Sequence, residues 1–387
     1  MNTDLMRFVD RFLGIPLCWI LAMLHRLSKR AYPNNLSAEV KDILVIKFFG
    51  MGSVILATPS LTLIRRGFPK ARITFLSFHQ NGEILARIST IDRVVTIDRS
   101  SVWRFVASTF RAIHTIRTIG PQVCFDLEFF SKFSTIVSAI SRATIRGAFH
   151  LPTRWRSGLV THQIRLDKNR HVIHSFCALV RSVIELEDQD PPLESPSIEQ
   201  GDHRSLLQKL PIEGRRLISV NINAGDTFPE RRWPKEKFAE LISRLARQND
   251  ALFCFTGNQS DTPRVAVAIA NTDCVERCVD ASGKLTIPEL GALLERSDIL
   301  ISNDSGPLHL AASLGTPVVG LFGPEDPEFY GPTHPEAIVV YRKLECSPCM
   351  NIYAAKQFRC PYQARCMREI TVDQVFARIQ SEVLIEA

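Results

Sequence analysis

"DILVIKFFGMGSVILATPSLTLIRRGFPKARITFLSF", residues 42–78, holds the pattern on which the fold turns. Its ends, DILVIKF and RITFLSF, are apolar runs rich in β-formers, as expected of parallel strands buried on both faces. Between them, the stretch from Ser53 to Pro69 carries apolar residues at helical spacing and stops at Gly67 and Pro69. Strand, helix and strand in that order predict an α/β fold, a parallel sheet covered by helices. The turn after the first strand carries Gly50 and Gly52, followed by Ser53. Such turns hold a phosphate or seat a catalytic side chain, or serve only as tight connections.

The same rhythm extends outward. RVVTID and VCFDLEFF read as further strands, with FVASTFRAIHTIRTIG a helix between them. A proline- and acid-rich stretch, EDQDPPLESPSIEQGD, has no apolar periodicity and reads as a linker. Beyond it RLISVNINAG, ALFCFTGN, ILISNDSG and PVVGLFG repeat the pattern with helices between. The expected organisation is an apolar and basic segment (1–40), an α/β domain (41–186), a linker (187–211) and a second α/β domain with a cysteine-rich tail (212–387). A chain of 387 residues is long enough for two such cores.

Composition narrows the function. With 45% hydrophobic and 22% charged residues the chain is ordinary globular protein, and its net charge of +7 suits an anionic membrane or a phosphorylated substrate. No basic block interleaved with aromatics points to nucleic acid. No G-x-G-x-x-G follows a strand, which argues against a dinucleotide oxidoreductase. The uncharged run FLGIPLCWILAML (12–24) reaches about 20 Å as a helix, short of a hydrocarbon core of about 30 Å. With Trp19 inside it and Arg26, Lys29 and Arg30 beyond, it suits a helix lying in the membrane interface. The alternative is a helix docked on the protein's own body. Six of the ten cysteines are scattered in apolar surroundings, and no cleavage-site pattern follows the apolar run. These features predict a reducing cytoplasm, with the protein peripheral on the inner face of the membrane.

Three groups of residues carry candidate chemistry. In NINAGDTFPERRWP, the backbone at Gly225, the Thr227 hydroxyl and the Arg231 guanidinium can hold a diphosphate, although Arg231 and Arg232 also read as surface charges beside a buried Trp233. In ISNDSGPLHLAASLGTP, a strand delivers Asp304, Ser305 and Gly306 to the start of a helix containing His309, where NH groups and the dipole favour an anion. Gly257, near the end of ALFCFTGN, joins this set of nucleotide-binding candidates. The tail places Cys346 and Cys349 with two residues between them, then Cys360 and Cys366. Four thiolates with one tight pair suit a structural zinc or iron, with reduced cysteines or a disulfide as the alternative.

Together, ILVIKFFGMGSVILATPSL, NAGDTFPERRWP, NDSGPLHLAASLGTPVVGLFGPEDP and the CSPC…CMREITVDQV tail resemble the family 9 glycosyltransferases, the bacterial heptosyltransferases of the lipopolysaccharide core and their relatives. The resemblance runs in order along most of residues 41–380. It implies a GT-B fold, two Rossmann-like domains facing across a cleft. The first would bind a glycan or glycolipid acceptor and the second a nucleotide-sugar donor, usually ADP-heptose. By position, Thr227, Arg231 and the backbone around Ser305 and Gly306 would serve the diphosphate, and Asp304 and His309 the donor sugar and phosphates. The heptosyltransferases carry an aspartate, thought to be the catalytic base, where this chain has Ser53. A serine hydroxyl cannot take a proton at neutral pH without a base of its own. Asp126 and Glu128 in CFDLEFFSKFS offer replacements, Glu128 first. Their structural alternatives are a helix cap (Asp126) and a salt bridge to Lys132 (Glu128), and transfer without a dedicated side-chain base stays open. So does a non-catalytic nucleotide-sugar-binding protein disabled at Ser53.

Overall fold

The structure, a computed structural model, describes residues 10, 12, 14–27, 39–129, 131–150, 158–212, 214–225, 228–350 and 359–382. It divides into two compact units with their border between Glu194 and Ser195. The first unit holds strands β1 (Asp42–Ile46), β2 (Arg72–Phe78), β3 (Arg93–Ile97), β4 (Val123–Asp126), β5 (Ile145–His150) and β6 (His162–Arg165) in the order β3-β2-β1-β4-β5-β6. The second holds β7 (Arg216–Asn221), β8 (Ala251–Phe255), β9 (Cys278–Asp280), β10 (Ile299–Asn303), β11 (Val318–Phe322) and β12 (Ile338–Tyr341) in the order β12-β11-β10-β7-β8-β9. Every pairing is parallel. Each sheet has the 3-2-1-4-5-6 order of a Rossmann unit, so two Rossmann-like units make up the chain. The order reverses between β1 and β4 and between β7 and β10. Ligands of such sheets bind outside the carboxyl ends of the strands at those points.

The central strands are apolar because helices cover both faces. DILVI of β1 and ILISN of β10 are buried throughout. The single helix expected after β1 is two, Met51–Ile55 and Thr58–Gly67. Pro59 lies in the first turn of the second, where its missing NH costs nothing. The helix Lys235–Gln248 buries Phe238, Leu241, Ile242 and Leu245 against the second sheet and is covered in turn by Val375 and Ile379 of the helix Val372–Glu382. Within the stretch 187–211, Asp190 bonds Arg181 and His174 of the first unit, while the helix Gln200–Lys209 packs on Ile287–Glu295 of the second. That helix is mostly polar, so apolar spacing does not betray it. A capping box at Glu199 and Asp202 starts it.

The helix Gly14–Leu27 lies on the protein's own body along one side, with Gly14 and Cys18 buried against the helix Lys132–Ile140. Its other side exposes Trp19, Ile20, Met23 and Leu24. Among the described residues no helix is long and apolar enough to cross a membrane.

Candidate functional site

The switch point of the second sheet collects most of the polar residues expected from sequence. β7 ends in Asn221, and the chain turns at Gly225, whose φ of 68° lies in the left-handed region that favours glycine. Asp226 and Thr227 lie outside the described residues. The chain then returns through a short turn, Pro229–Arg231, that aims Arg231 back under the strand ends. Its guanidinium bonds the Asp304 carboxylate at 3.1 Å and the Ala224 carbonyl at 2.8 Å. Trp233 fixes this return: its backbone NH donates to Asn303 Oδ1 at 2.9 Å, and its indole NH donates to the Ile370 carbonyl at 3.0 Å. The residue read as a neighbour of surface charges is thus the anchor that positions one of them.

β10 delivers Asp304 to the same point, with Ser305 before the helix Gly306–Ser313. Asn221 Nδ2 donates to Ser305 Oγ at 2.8 Å and to Ser302 Oγ at 3.1 Å, tying the ends of β7 and β10 together. His309 Nε2 lies 4.0 Å from Asp304 Oδ1, both groups being buried. Gly257 follows β8, and a Cβ there would stand 2.8 Å from Asn223 Nδ2. Its lack of a side chain lets Asn223 pack against that strand end. Buried polar atoms are nearly always hydrogen-bonded. Among the described residues Asn223 Oδ1, Asn303 Nδ2 and Arg231 Nε have no such partner, so the place is built around polar groups with unused bonding capacity.

Glu325, in the turn after β11, completes the cluster. Burial and the nearby Asp304 carboxylate push it up to about 8, against the opposing pull of Arg231. Glu325, Asn221 and Asn223 are not among the residues expected from sequence. The only signal for all three was their position at strand ends.

The first sheet repeats the arrangement at its own switch point. Lys47, just past β1, bonds Glu128 Oε1 at 3.0 Å, and the side chains are 3% and 5% exposed. The same oxygen accepts the NH groups of Phe48 at 2.7 Å and Phe49 at 3.1 Å. Glu128 therefore braces the turn that leads to Gly50. Its partner is Lys47 and not Lys132, the structural alternative read from sequence, which pairs with Asp10 at 3.5 Å. Asp126 turns the other way: it accepts Ser134 Oγ at 2.8 Å and the Glu128 NH at 3.1 Å, while Ser131 caps the helix. Ser53 is partly buried in the helix Met51–Ile55, just beyond the turn. Lys47 went unnoticed because a lysine closing a strand resembles any surface lysine.

The tail cysteines share a neighbourhood. Cys349 is pushed up to about 11 by burial and then by Cys366, Cys360 and Cys346, and Cys366 is raised by burial and by Cys360 and Cys346. Among the described residues no group of three or more His, Cys, Asp or Glu side chains is arranged to hold a metal ion. Residues 351–358, between Cys349 and Cys360, lie outside the described residues.

Comparison with known proteins places this geometry. The model of glycosyltransferase family 9 (heptosyltransferase) matches residues 131–357, more than half of the chain. Lipopolysaccharide heptosyltransferase 3 of Escherichia coli is 23% identical over 286 residues, 73% of this chain and 83% of that protein. The solved family 9 glycosyl transferase of Veillonella parvula superposes with a TM-score of 0.75 at 23% identity, covering 91% of this chain and 99% of that one. The dodecameric iron-containing heptosyltransferase TibC of enterotoxigenic E. coli, solved with ADP-D-beta-D-heptose, gives a TM-score of 0.55 at 15% identity, over 89% of this chain and 76% of that one. The fold is that of the GT-B glycosyltransferases. With two Rossmann-like sheets and a polar cluster at each switch point, the chain belongs to glycosyltransferase family 9, the heptosyltransferases.

Proposed function

We propose that the protein moves heptose from ADP-heptose to a glycolipid acceptor of the lipopolysaccharide core type, with inversion at the anomeric carbon. The observation that carries the donor half is the Arg231–Asp304 pair beside the start of the helix Gly306–Ser313. In this reading the diphosphate sits on Arg231 and the helix NH groups, and Asp304 and His309 meet the sugar and phosphates. As the acceptor oxygen bonds to the anomeric carbon, the bond to the diphosphate breaks and its electron pair leaves with ADP. Arg231 and the helix dipole stabilise that charge. The acceptor's proton goes to a carboxylate, for which Glu128 is our first candidate and Asp126 our second, with Ser53 positioning the acceptor. Arg231→Ala should weaken ADP binding by about 1.5–3 kcal/mol, as for a hydrogen bond to a charged group. Unchanged affinity in calorimetry would remove the donor site from this place. ADP binding without turnover of ADP-heptose on any lipopolysaccharide-core acceptor would favour a non-catalytic binding protein instead.

Two further assignments belong to this reading. Cys346, Cys349, Cys360 and Cys366 would hold a structural zinc or iron, since a cation would relieve the mutual repulsion that opposes their ionisation. TibC is iron-containing, which gives iron the first claim. Protein purified without chelator should contain about one metal per chain; elemental analysis finding none would return the four to ordinary thiols. The exposed face of the helix Gly14–Leu27 would rest in the interface of the cytoplasmic membrane, where a lipid-borne acceptor is met.

A further inference from the structure

The most exposed large hydrophobic side chains among the described residues lie neither in the site nor in the N-terminal helix. They are Trp103, 83% exposed, and Phe110, 70% exposed, on the helix Val102–Ile119. With Val106 between them they follow the spacing i, i+3, i+7 and therefore share one face. The opposite face, with Ala112 and Ile116, packs into the core of the first unit. Every charged residue of this helix is basic: Arg104, Arg111 and Arg117, beside His114.

Its position supplies the second observation. Phe105, near its start, packs on Phe133 with ring centroids 5.4 Å apart. The NH groups of Lys132 and Phe133 donate to Asp10, which leads into the N-terminal helix. Two helices from distant parts of the sequence thus meet on the first turn of a third, each showing an apolar face to solvent and neither carrying an acid. An exposed apolar helix face of this kind marks an interaction site. Exposed arginines beside tryptophan on a helix suit an anionic lipid interface, and there is no acidic residue on either helix to pair with a basic protein.

We infer that the helix Val102–Ile119 is a second membrane contact, laying Trp103, Val106 and Phe110 into the headgroup region of an anionic bilayer alongside the helix Gly14–Leu27. The inference rests on the membrane association proposed above and adds a contact to it. It also gives the first unit an orientation. Phe133 packs on Phe48 at 5.4 Å, so the lipid-facing helices start at the sheet edge that carries the Lys47–Glu128 pair. An acceptor anchored in the same bilayer would meet that edge without leaving it.

Co-sedimentation of the full chain tests this, using vesicles of phosphatidylglycerol mixed with phosphatidylethanolamine and control vesicles of phosphatidylcholine. Trp103→Ala with Phe110→Ala should lower partitioning into the anionic vesicles by about tenfold or more, from the apolar area withdrawn. ADP affinity and melting temperature should not change, because both side chains point to solvent. Should the pair melt early, the single Trp103→Ser change carries the same test. Unchanged partitioning overturns the inference, as does a shift from dimer to monomer in light scattering with vesicle binding intact, which would assign the face to a second copy. Trp19→Ser with Met23→Ser, run in parallel, separates the two contacts. Loss of binding in that variant alone sinks the helix Val102–Ile119 and spares the N-terminal contact, and loss in neither sinks both.

Discussion

At the scale of residues, each switch point couples a cation to a carboxylate: Lys47 to Glu128 and Arg231 to Asp304. The first pair changes how Glu128 must be tested. Glu128→Gln removes the candidate base but also leaves a buried ammonium without its counter-charge, which typically costs about 3–5 kcal/mol. Lost activity in that variant would thus be ambiguous. Lys47→Met combined with Glu128→Gln should recover most of the melting temperature, since the amide oxygen can still accept the Phe48 and Phe49 NH groups. If Glu128 is the base, kcat in the double variant should remain about 10²–10⁴-fold down, with ADP affinity little changed. Recovery of kcat along with stability would make Glu128 only a brace. Glu325 provides a second residue-level expectation. The folded protein holds its proton up to about 8, where an unfolded chain would release it in the ordinary glutamate range. Between those values the native state binds more protons, so stability declines as pH rises through the window. Glu325→Gln should therefore melt closer to wild type at about pH 5 than at about pH 9, where the variant should be the more stable. ADP binding should weaken in wild type as pH climbs through about 8, because a new negative charge then faces the diphosphate; a pH-independent affinity would place the nucleotide away from Glu325.

At the scale of elements, legibility followed chemistry more than position. The strands could be read because burial on both faces makes them continuous apolar runs, and DILVI, ALFCF and VVGLF are buried from end to end. The β10 turn could be read because its polar residues are contiguous in sequence. The pairings could not. Nothing local links Lys47 to Glu128 across 81 positions, or Trp233 to Ile370 across 137. The near neighbour Lys132 is therefore the structural alternative that sequence offers Glu128, whereas the parallel pairing of β1 with β4 sets it beside Lys47. The N-terminal helix shows the same limit, since its apolar residues point both to a membrane and to the protein, and the two faces serve differently. Deleting residues 1–30 should for this reason lower the melting temperature as well as vesicle binding. It strips the cover from Lys132, which is 5% exposed and paired with Asp10. The exposed-face changes at Trp19 and Met23 should lower vesicle binding alone. A truncated protein that melts like wild type would mean that the contact with the helix Lys132–Ile140 adds little.

At the scale of the molecule, one chain carries two sheets of the same order, each with its own buried core, and only their side chains assign them different work. The first switch point is lined by Phe48, Phe49 and a buried ion pair. The second has an arginine, a helix start and three buried polar atoms without partners among the described residues. A diphosphate should therefore select the second, because a dianion needs donors already in place and the first offers its NH groups to Glu128. Hydrogen exchange on the full chain can read this directly. Saturating ADP should slow exchange in 221–225 and 303–310, where binding orders the strand ends and the first turn of the helix Gly306–Ser313. The turn 47–50 should exchange as it does without nucleotide. Arg231→Ala, at the same ADP concentration, should lose the protection in both segments of the second unit together, since one guanidinium links Ala224 to Asp304. Protection appearing instead at 47–50 would move the nucleotide to the first unit and reverse the assignment of donor and acceptor.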